Sequence, residues 1–425
     1  MAAVITIGDV PELTAMLLGG LSADERVRQP AESALALWKE RPGYLSALAA
    51  VIVQPATPLE ARWLGACCFK NDIRRSWRRN QRQLAGGITA EEKAHLRGQL
   101  VPMVEQSVGV EQVAKQVAEI VAQVARFEFP AGWPELLPAL VERLDAYARA
   151  GSDGLGGVRA VMRTLHAVLK QLATKRLRAD RLAFASLSAQ LLPTLHAVWR
   201  AQGDALVSGA AEVQAATVDV IKYCTKSLRL LLVNGLPDFH EVPEAVQFVG
   251  ALSRRLQDFL DLCLRLAAAA ADAAAAGVAE RVHKCALSMA STLVELIKEL
   301  PRACWACGVV RPCLDLCRAI VALARPDMEE LRVLAMHFVI HVLAVEPDNA
   351  VLSLSDGGGP IEAAAKETSR ATAEFFSAPV VTEFVRLVVG QLLPLTTQEM
   401  ETWAEEPERF LQVRGNIIGH ARNNM

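Results

Sequence analysis

The sequence contains few aromatic residues and almost no net charge. Three Tyr and twelve Phe are present among 425 residues, whereas hydrophobic residues make up 52%. Strands favour aromatic and β-branched residues, and the abundant Ala and Leu favour helices, so the composition predicts an all-α fold. A formal net charge of −2 provides no global field that would attract nucleic acid or an anionic membrane.

From the sequence we expect neither a secretory signal nor a membrane anchor. Asp9 and Glu12 lie where a secretory signal would carry basic residues, so we expect no such signal. The longest apolar run in a predicted helix extends from Val333 to Val345, which is too short to span a bilayer, and we expect no membrane insertion. Nine cysteines without a signal then favour free thiols in a reducing compartment.

No motif of a known enzyme class is found. The glycines between Gly151 and Gly157 superficially resemble a phosphate loop, but no strand precedes them and no Lys-Ser/Thr pair follows. A Gly-x-Ser-x-Gly nucleophile elbow is absent as well. The sequence therefore predicts a protein that is not an enzyme and uses no cofactor.

Two groups of residues could in principle bind a metal. The spacings Cys304-x2-Cys307 and Cys313-x3-Cys317 are short enough for tetrahedral zinc, but their neighbours are apolar and cysteine is a common core residue. His337 and His341 lie one helical turn apart, without the glutamate that a zinc-protease helix carries between them. We predict buried free thiols, packed histidines and no metal, with zinc at the cysteines as the alternative.

Helical periodicity is the dominant pattern. After helices in the first 77 residues, helices are predicted at 89–107, 110–126, 133–149, 155–175, 178–201, 209–234, 243–271, 278–300, 309–324, 327–345 and 361–395. We count about seven pairs plus one long last helix, and pairs recurring every 40–47 residues or so are typical of HEAT or armadillo arrays. We therefore expect an α-solenoid, a superhelix of paired antiparallel helices whose neighbouring pairs share one core.

Several motifs between Gln29 and Trp77 occur in a recognisable order. They are Ala31-Glu32, Pro42-Gly43-Tyr44 and Lys70-Asn71-x-Ile73-x3-Trp77. This segment resembles the amino-terminal domain of the importin-beta nuclear transport receptors. Further similarity continues to about residue 240, through Arg62-Trp63-Leu64, Trp133-Pro134-Glu135-Leu136 and the basic segment 175–181.

The resemblance and the composition together predict three regions. Residues 1–103 would form the importin-beta amino-terminal domain, and 104–346 would continue the HEAT-type array. Residues 347–425 would contain a Gly-rich linker, the long last helix and a divergent tail. Because 411–425 show neither helical periodicity nor family character, we expect a truncated product.

The resemblance implies a nuclear import receptor that shuttles between nucleus and cytoplasm. Its implied partners are Ran in the GTP state, nucleoporins and protein cargo, and we expect a monomer that binds no nucleic acid. In the family, the second helix of each amino-terminal repeat lines the face that meets Ran. The Ran-binding candidates on those helices are Glu32, Lys39, Arg62, Lys70, Asn71, Gln112, Lys115, Glu119, Arg159 and Arg163.

Other interpretations remain open at this stage. A basic run consists of Lys70, Arg74, Arg75, Arg78, Arg79 and Arg82. It is typical of a solvated helix end, and a protein contact or an RNA contact is the alternative.

For the whole chain, the alternatives are a generic HEAT scaffold without Ran binding and an RNA-binding helical repeat. The latter needs a base-reading side chain in each repeat, and we find none.

Overall fold

The computed structural model describes residues 5–77, 88–207, 215–269, 273–323, 325–345, 360–392, 397–408 and 411. All regular structure in these ranges is helical, so the predicted all-α fold is confirmed. The chain divides into two compact units, Met1–Leu300 and Pro301–Met425. The three regions expected from the sequence have no boundary at residue 300. The division into those three regions stays a prediction.

The first unit contains a regular succession of α-helices. They are α1 (Val10–Gly20), α2 (Glu25–Trp38), α3 (Tyr44–Val53), α4 (Leu59–Ser76), α5 (Ala90–Gln106), α6 (Glu111–Glu128), α7 (Leu136–Arg149), α8 (Leu155–Ala173), α9 (Arg178–Val207), α10 (Ala215–Gly235), α11 (Pro243–Ala269) and α12 (Ala273–Glu299). These bounds agree with the predicted helices to within a few residues at most ends.

Local chemistry explains where several of these helices begin. The side chain of Asp24 accepts a hydrogen bond from Arg26 N, and Thr89 Oγ1 accepts one from Glu92 N, so both residues cap a helix start. Gly43 precedes α3 with φ +85°, and a Cβ added there would lie 2.5 Å from the carbonyl oxygen of Ile5. Only glycine tolerates both conditions, which accounts for the Pro-Gly-aromatic break.

The helices of the first unit form two layers. α3, α5, α7, α9 and α11 each pack against the helix that follows in sequence. Those following helices also pack against one another in the order α4, α6, α8, α10 and α12, and we call them the B layer. A B-layer helix therefore packs against its own pair partner and against neighbouring B-layer helices.

One described helix, α9, is long and apolar enough to cross a membrane by length and composition. Its most apolar window is 44% buried, and the helix packs extensively along α10. Those contacts are typical of a core helix, because residues such as Leu192 and Leu195 are completely buried.

The second unit begins with a short helix that the sequence pattern did not reveal. Its helices are α13 (Pro301–Ala306), α14 (Val310–Val321), α15 (Glu329–Ala344), α16 (Pro360–Phe375), α17 (Ala378–Leu387) and α18 (Thr397–Glu405), with a π-helical segment at Val388–Leu392. α14 packs against α15 and α16, and α13 packs against α16.

The expectation of one long helix over 361–395 is wrong. The helix ends at Phe375, Ser377 is extended with ψ 153°, and a new helix starts with Pro379 in its first turn. Pro379 has no backbone N–H to donate to the carbonyl oxygen of Phe375, so a continuous helix would lose that hydrogen bond, whereas proline suits the first turn of a new helix. The apolar periodicity continues across this break, so periodicity alone does not reveal it.

Candidate protein-binding face

The B layer places polar side chains of successive repeats next to one another. Lys70 Nζ in α4 donates a hydrogen bond to Gln116 Oε1 in α6 at 2.9 Å. Asn71 is exposed one residue further along α4. On α6, the predicted residues Gln112, Lys115 and Glu119 are all exposed.

Two of the predicted residues, Glu32 and Lys39, belong to the first helix pair or directly follow it. Glu32 is exposed on α2. Lys39 follows α2, and its Nζ lies 3.6 Å from Asp72 Oδ2 in α4. Burial raises the pKa of the Asp72 carboxyl above its ordinary value, and the nearby charge of Lys39 only partly offsets this. Lys39 thus links the first pair to α4.

Arg62 is located inside the fold. It is only 8% exposed, and its Nε donates to the carbonyl oxygen of Ile52 in the last turn of α3 at 2.8 Å. A cation at this position stabilises the carboxyl end of a helix. The sequence pattern places Arg62 on the correct helix, but the packing directs its side chain towards α3.

Arg159 and Arg163 of α8 take part in an ion-pair network between helices. Glu111 of α6 accepts a hydrogen bond from Arg163 Nη2 at 2.6 Å, and Arg159 Nη2 lies 3.3 Å from the same carboxylate. Arg159 Nη1 also lies 3.7 Å from Asp219 Oδ2 in α10. The two arginines therefore join α6, α8 and α10.

The network continues into α12 through Asp219. The side chain of Asp219 is only 3% exposed, and it accepts hydrogen bonds from Lys222 Nζ at 2.9 Å and from Arg281 Nη1 at 2.7 Å. We call Glu111, Arg159, Arg163, Asp219, Lys222 and Arg281 the ion ladder. It connects four consecutive helices of the B layer.

Opposite charges within the ion ladder offset the effect of burial on the pKa values of its members. Burial alone would raise the pKa of Glu111, but the hydrogen bond from Arg163 and the charges of Arg163, Arg159 and Lys115 outweigh it and lower the pKa. Burial likewise opposes the charge of Arg163, while Tyr223 and Glu111 together raise its pKa. Both groups are therefore charged near neutral pH.

The basic run at the end of α4 is distributed over different surroundings. Arg75 Nη2 forms an ion pair with Glu40 at 2.8 Å, and Arg74 lines a cavity. Trp77 is completely buried, and its Nε1 donates to Glu128 Oε1 at 2.6 Å. The remaining members of the run, Arg78, Arg79 and Arg82, lie outside the described residues.

Two adjoining cavities lie at the carboxyl ends of α4, α6 and α8. One has a volume of about 590 Å³ and the other about 490 Å³. Arg126, Phe127 and Thr174 line both of them. No sequence motif indicates this site, because its residues are far apart along the chain.

The four clustered cysteines lie in the second unit. Cys304, Cys313 and Cys317 are buried and Cys307 is half-buried. Burial raises the pKa of Cys307 to about 12 and keeps those of Cys304 and Cys317 well above the ordinary thiol value. Across the part of the chain that the structure describes, no group of three or more possible ligands could hold a metal ion. Protonated thiols are poor metal ligands, and the absence of a metal stays a prediction.

The candidate histidine pair lies in the second unit. His337 and His341 are both half-buried on α15. Burial lowers the pKa of His337, so its imidazole is neutral at physiological pH. This location fits the predicted packing role.

Comparison with known proteins finds similarity to importins. Residues 31–106 match the Importin-beta N-terminal domain. Over 402 residues the chain is 28% identical to Importin-11 of Mus musculus and 27% identical to Importin-11 of Homo sapiens. Those alignments cover 93% of this chain and 39% of each relative, so the chain spans about two fifths of their length.

A solved structure shows the same fold. The structure of Lph2, described as a bidirectional nuclear transport receptor of S. cerevisiae, has a TM-score of 0.68 at 19% identity. The match covers 95% of this chain and 38% of the Lph2 chain. The expected HEAT-type array and the resemblance to importin-beta receptors are both confirmed.

Proposed function

We propose that this chain, which carries an importin-beta N-terminal domain at residues 31–106, acts as a nuclear import receptor. In this proposal it binds Ran in the GTP state and nucleoporins, and carries protein cargo through the nuclear pore between cytoplasm and nucleus. The domain match carries the proposal, because that domain lies in the part of the fold where the B layer begins. The relatives are transport receptors by name, which supports a binding protein and not an enzyme.

The proposed Ran surface consists of accessible side chains. Its exposed members are Glu32, Asn71, Gln112, Lys115 and Glu119, and its half-buried members are Lys39 and Lys70. The other three candidates would act from beneath, because Arg62 and Arg163 are buried and Arg159 is held between two carboxylates. Removing one of those three would change the shape of the surface but would remove no direct contact with Ran.

The B layer offers a route for coupling between partners. A repeat array deforms by small shifts at each interface between neighbouring repeats. The ion ladder joins four such helices in sequence, so a partner that moves α6 relative to α8 also changes the environment of Asp219. In this proposal, Ran and cargo influence each other's affinity through such shifts, and the coupling is reciprocal.

The test is a titration of the full chain with Ran loaded with GTP or GDP. We expect binding that is selective for the GTP state. The double variant Lys115→Ala/Glu119→Ala should weaken it by roughly thirtyfold if one of the two is a hot spot. The matched control is Asp145→Ala/Arg149→Ala, two exposed residues on α7 in the other layer, which should bind as the unmodified chain does.

Two results would contradict the proposal in different ways. Equal binding of both nucleotide states, or no binding at micromolar protein, would leave the generic HEAT scaffold as the better interpretation. GTP-selective binding that both double variants retain would keep the function and refute the choice of residues.

A further inference from the structure

The two cavities at the carboxyl ends of the B-layer helices adjoin each other, and Arg126, Phe127 and Thr174 line both of them. Arg74 and Gln123 lie in the part towards α4 and α6, and the segment 174–177 lies in the part beyond α8. We call this site the carboxyl-end groove.

The groove carries an excess of positive charge. Its lining includes four cations, Arg74, Arg126, Lys175 and Arg176, and two carboxylates, those of Glu128 and Asp180. Both carboxylates are engaged from within the protein. Glu128 accepts from Trp77 Nε1 at 2.6 Å and from Arg97 Nη1 at 3.0 Å, and Asp180 lies 3.3 Å from Lys175 Nζ.

Two of the cations are held in fixed positions. Arg126 Nη1 of α6 donates to the carbonyl oxygen of Gln171 at the end of α8 at 3.0 Å. Lys175 Nζ donates to the carbonyl oxygen of Phe129, just beyond α6, at 2.8 Å. Each side chain thus stabilises a helix end of the adjacent repeat, and its position beside the groove is set before any ligand arrives.

The other two cations are available for a partner. Arg74 and Arg176 are exposed, and neither has an ion-pair partner within the described ranges of the chain. They are contributed by α4 and by the segment after α8. A ligand that neutralises both must extend along the groove.

Two further features indicate a peptide. Gln123 is 8% exposed, and its buried Oε1 has no hydrogen-bond partner among the described residues. A buried acceptor without a donor is costly, and a peptide N–H would satisfy it. At the other end, Leu177 lines the groove and is 72% exposed, so it offers an apolar contact that a polar ligand would not use.

We propose that the carboxyl-end groove binds an extended acidic peptide segment of a partner protein. Carboxylates of the segment pair with Arg74 and Arg176, a backbone N–H donates to Gln123 Oε1, and an apolar side chain packs on Leu177. Nucleic acid would also neutralise the cations, but its phosphate backbone would leave Leu177 without an apolar partner. None of these residues is among those proposed for Ran.

Fluorescence anisotropy of a labelled peptide rich in glutamate and leucine tests the groove. The full chain should bind this peptide with an affinity that falls as salt rises. The same peptide with glutamine in place of every glutamate should not bind. Arg74→Glu/Arg176→Glu should weaken binding about tenfold or more, and Leu177→Ala about threefold.

Controls separate the groove from general charge effects and from Ran binding. Arg149→Glu, at an exposed arginine at the end of α7, should bind the peptide as the unmodified chain does. An equal loss in that variant would overturn the proposal, and so would tighter binding of a single-stranded RNA probe that depends on Arg74 and Arg176. Arg74→Glu/Arg176→Glu should keep its GTP-selective binding of Ran, whereas a parallel loss would merge the two sites and refute a separate groove.

Discussion

The two compact units use different means to hold their helices together. In the first unit, charged side chains bridge helices of successive repeats, and the buried Asp219 is the centre of that arrangement. In the described part of the second unit, cysteine thiols and apolar side chains occupy the interior, and a buried arginine, Arg332, donates to the carbonyl oxygen of Val321. Ion pairs there, such as Arg325–Asp327, join exposed side chains.

The difference follows from what each surface has to do. The B layer packs closely and also presents a face to solvent, so polar groups that are partly covered need partners on the neighbouring helix. Buried thiols demand no such partners, because a protonated thiol behaves as a small apolar group. The first unit therefore adds ion pairs between helices to its buried apolar core, and the described part of the second unit relies mainly on burial.

The largest effect is expected when the carboxylate of Asp219 is removed. Asp219→Ala leaves Lys222, Arg281 and Arg159 close together without their shared carboxylate, and breaking a buried pair costs about 3–5 kcal/mol. We expect the free energy of unfolding of the first unit, measured by urea denaturation, to fall by about that amount. Asp315→Ala, which removes an exposed pair with Arg311 in the second unit, should change the free energy of unfolding of that unit by about 0.5 kcal/mol or less.

A smaller effect is expected from a thiol in the second unit. Cys304→Ser introduces a hydroxyl into a buried position, which costs about 1–3 kcal/mol when the hydroxyl lacks a full set of partners. The thermal unfolding temperature should fall accordingly. Cys307→Ser is the matched control, because Cys307 is only half-buried and its hydroxyl would reach solvent. Equal destabilisation by the two changes would show that burial is not the deciding factor.

The smallest effect concerns the pH dependence of the ion ladder. The pKa of Glu111 is lower in the folded protein than its ordinary value of 4.5. Its stabilisation is therefore complete above pH 4.5 and is lost as the pH falls through the lowered folded pKa. Glu111→Gln should reduce stability by about 1 kcal/mol at neutral pH, since it removes a partner of the buried Arg163.

Urea denaturation between pH 3 and pH 7 measures this dependence. The difference between the unmodified chain and Glu111→Gln should shrink as the pH falls below 4.5. A difference that grows in acid would mean that the carboxylate of Glu111 is not the stabilising species.

Helical periodicity predicts only part of the candidate site. Helical periodicity assigned Gln112, Lys115 and Glu119 to one helix face, and all three are exposed on α6. The same reasoning placed Arg62 and Arg163 on equivalent helices, yet packing buries both. Periodicity identifies the helix that a residue belongs to, whereas the neighbouring helix decides which side chains remain accessible.

The sequence by itself determined the helices of the first unit, their pairing and the likeness of the first hundred residues to a transport-receptor domain, because these depend on local spacing and short motifs. The tertiary structure alone decided the rest. The ion ladder joins Glu111 to residues more than 40 positions away, and the carboxyl-end groove combines the ends of three repeats. Such sites depend on how one helix pair stacks on the next, and that stacking is set by side-chain packing between repeats.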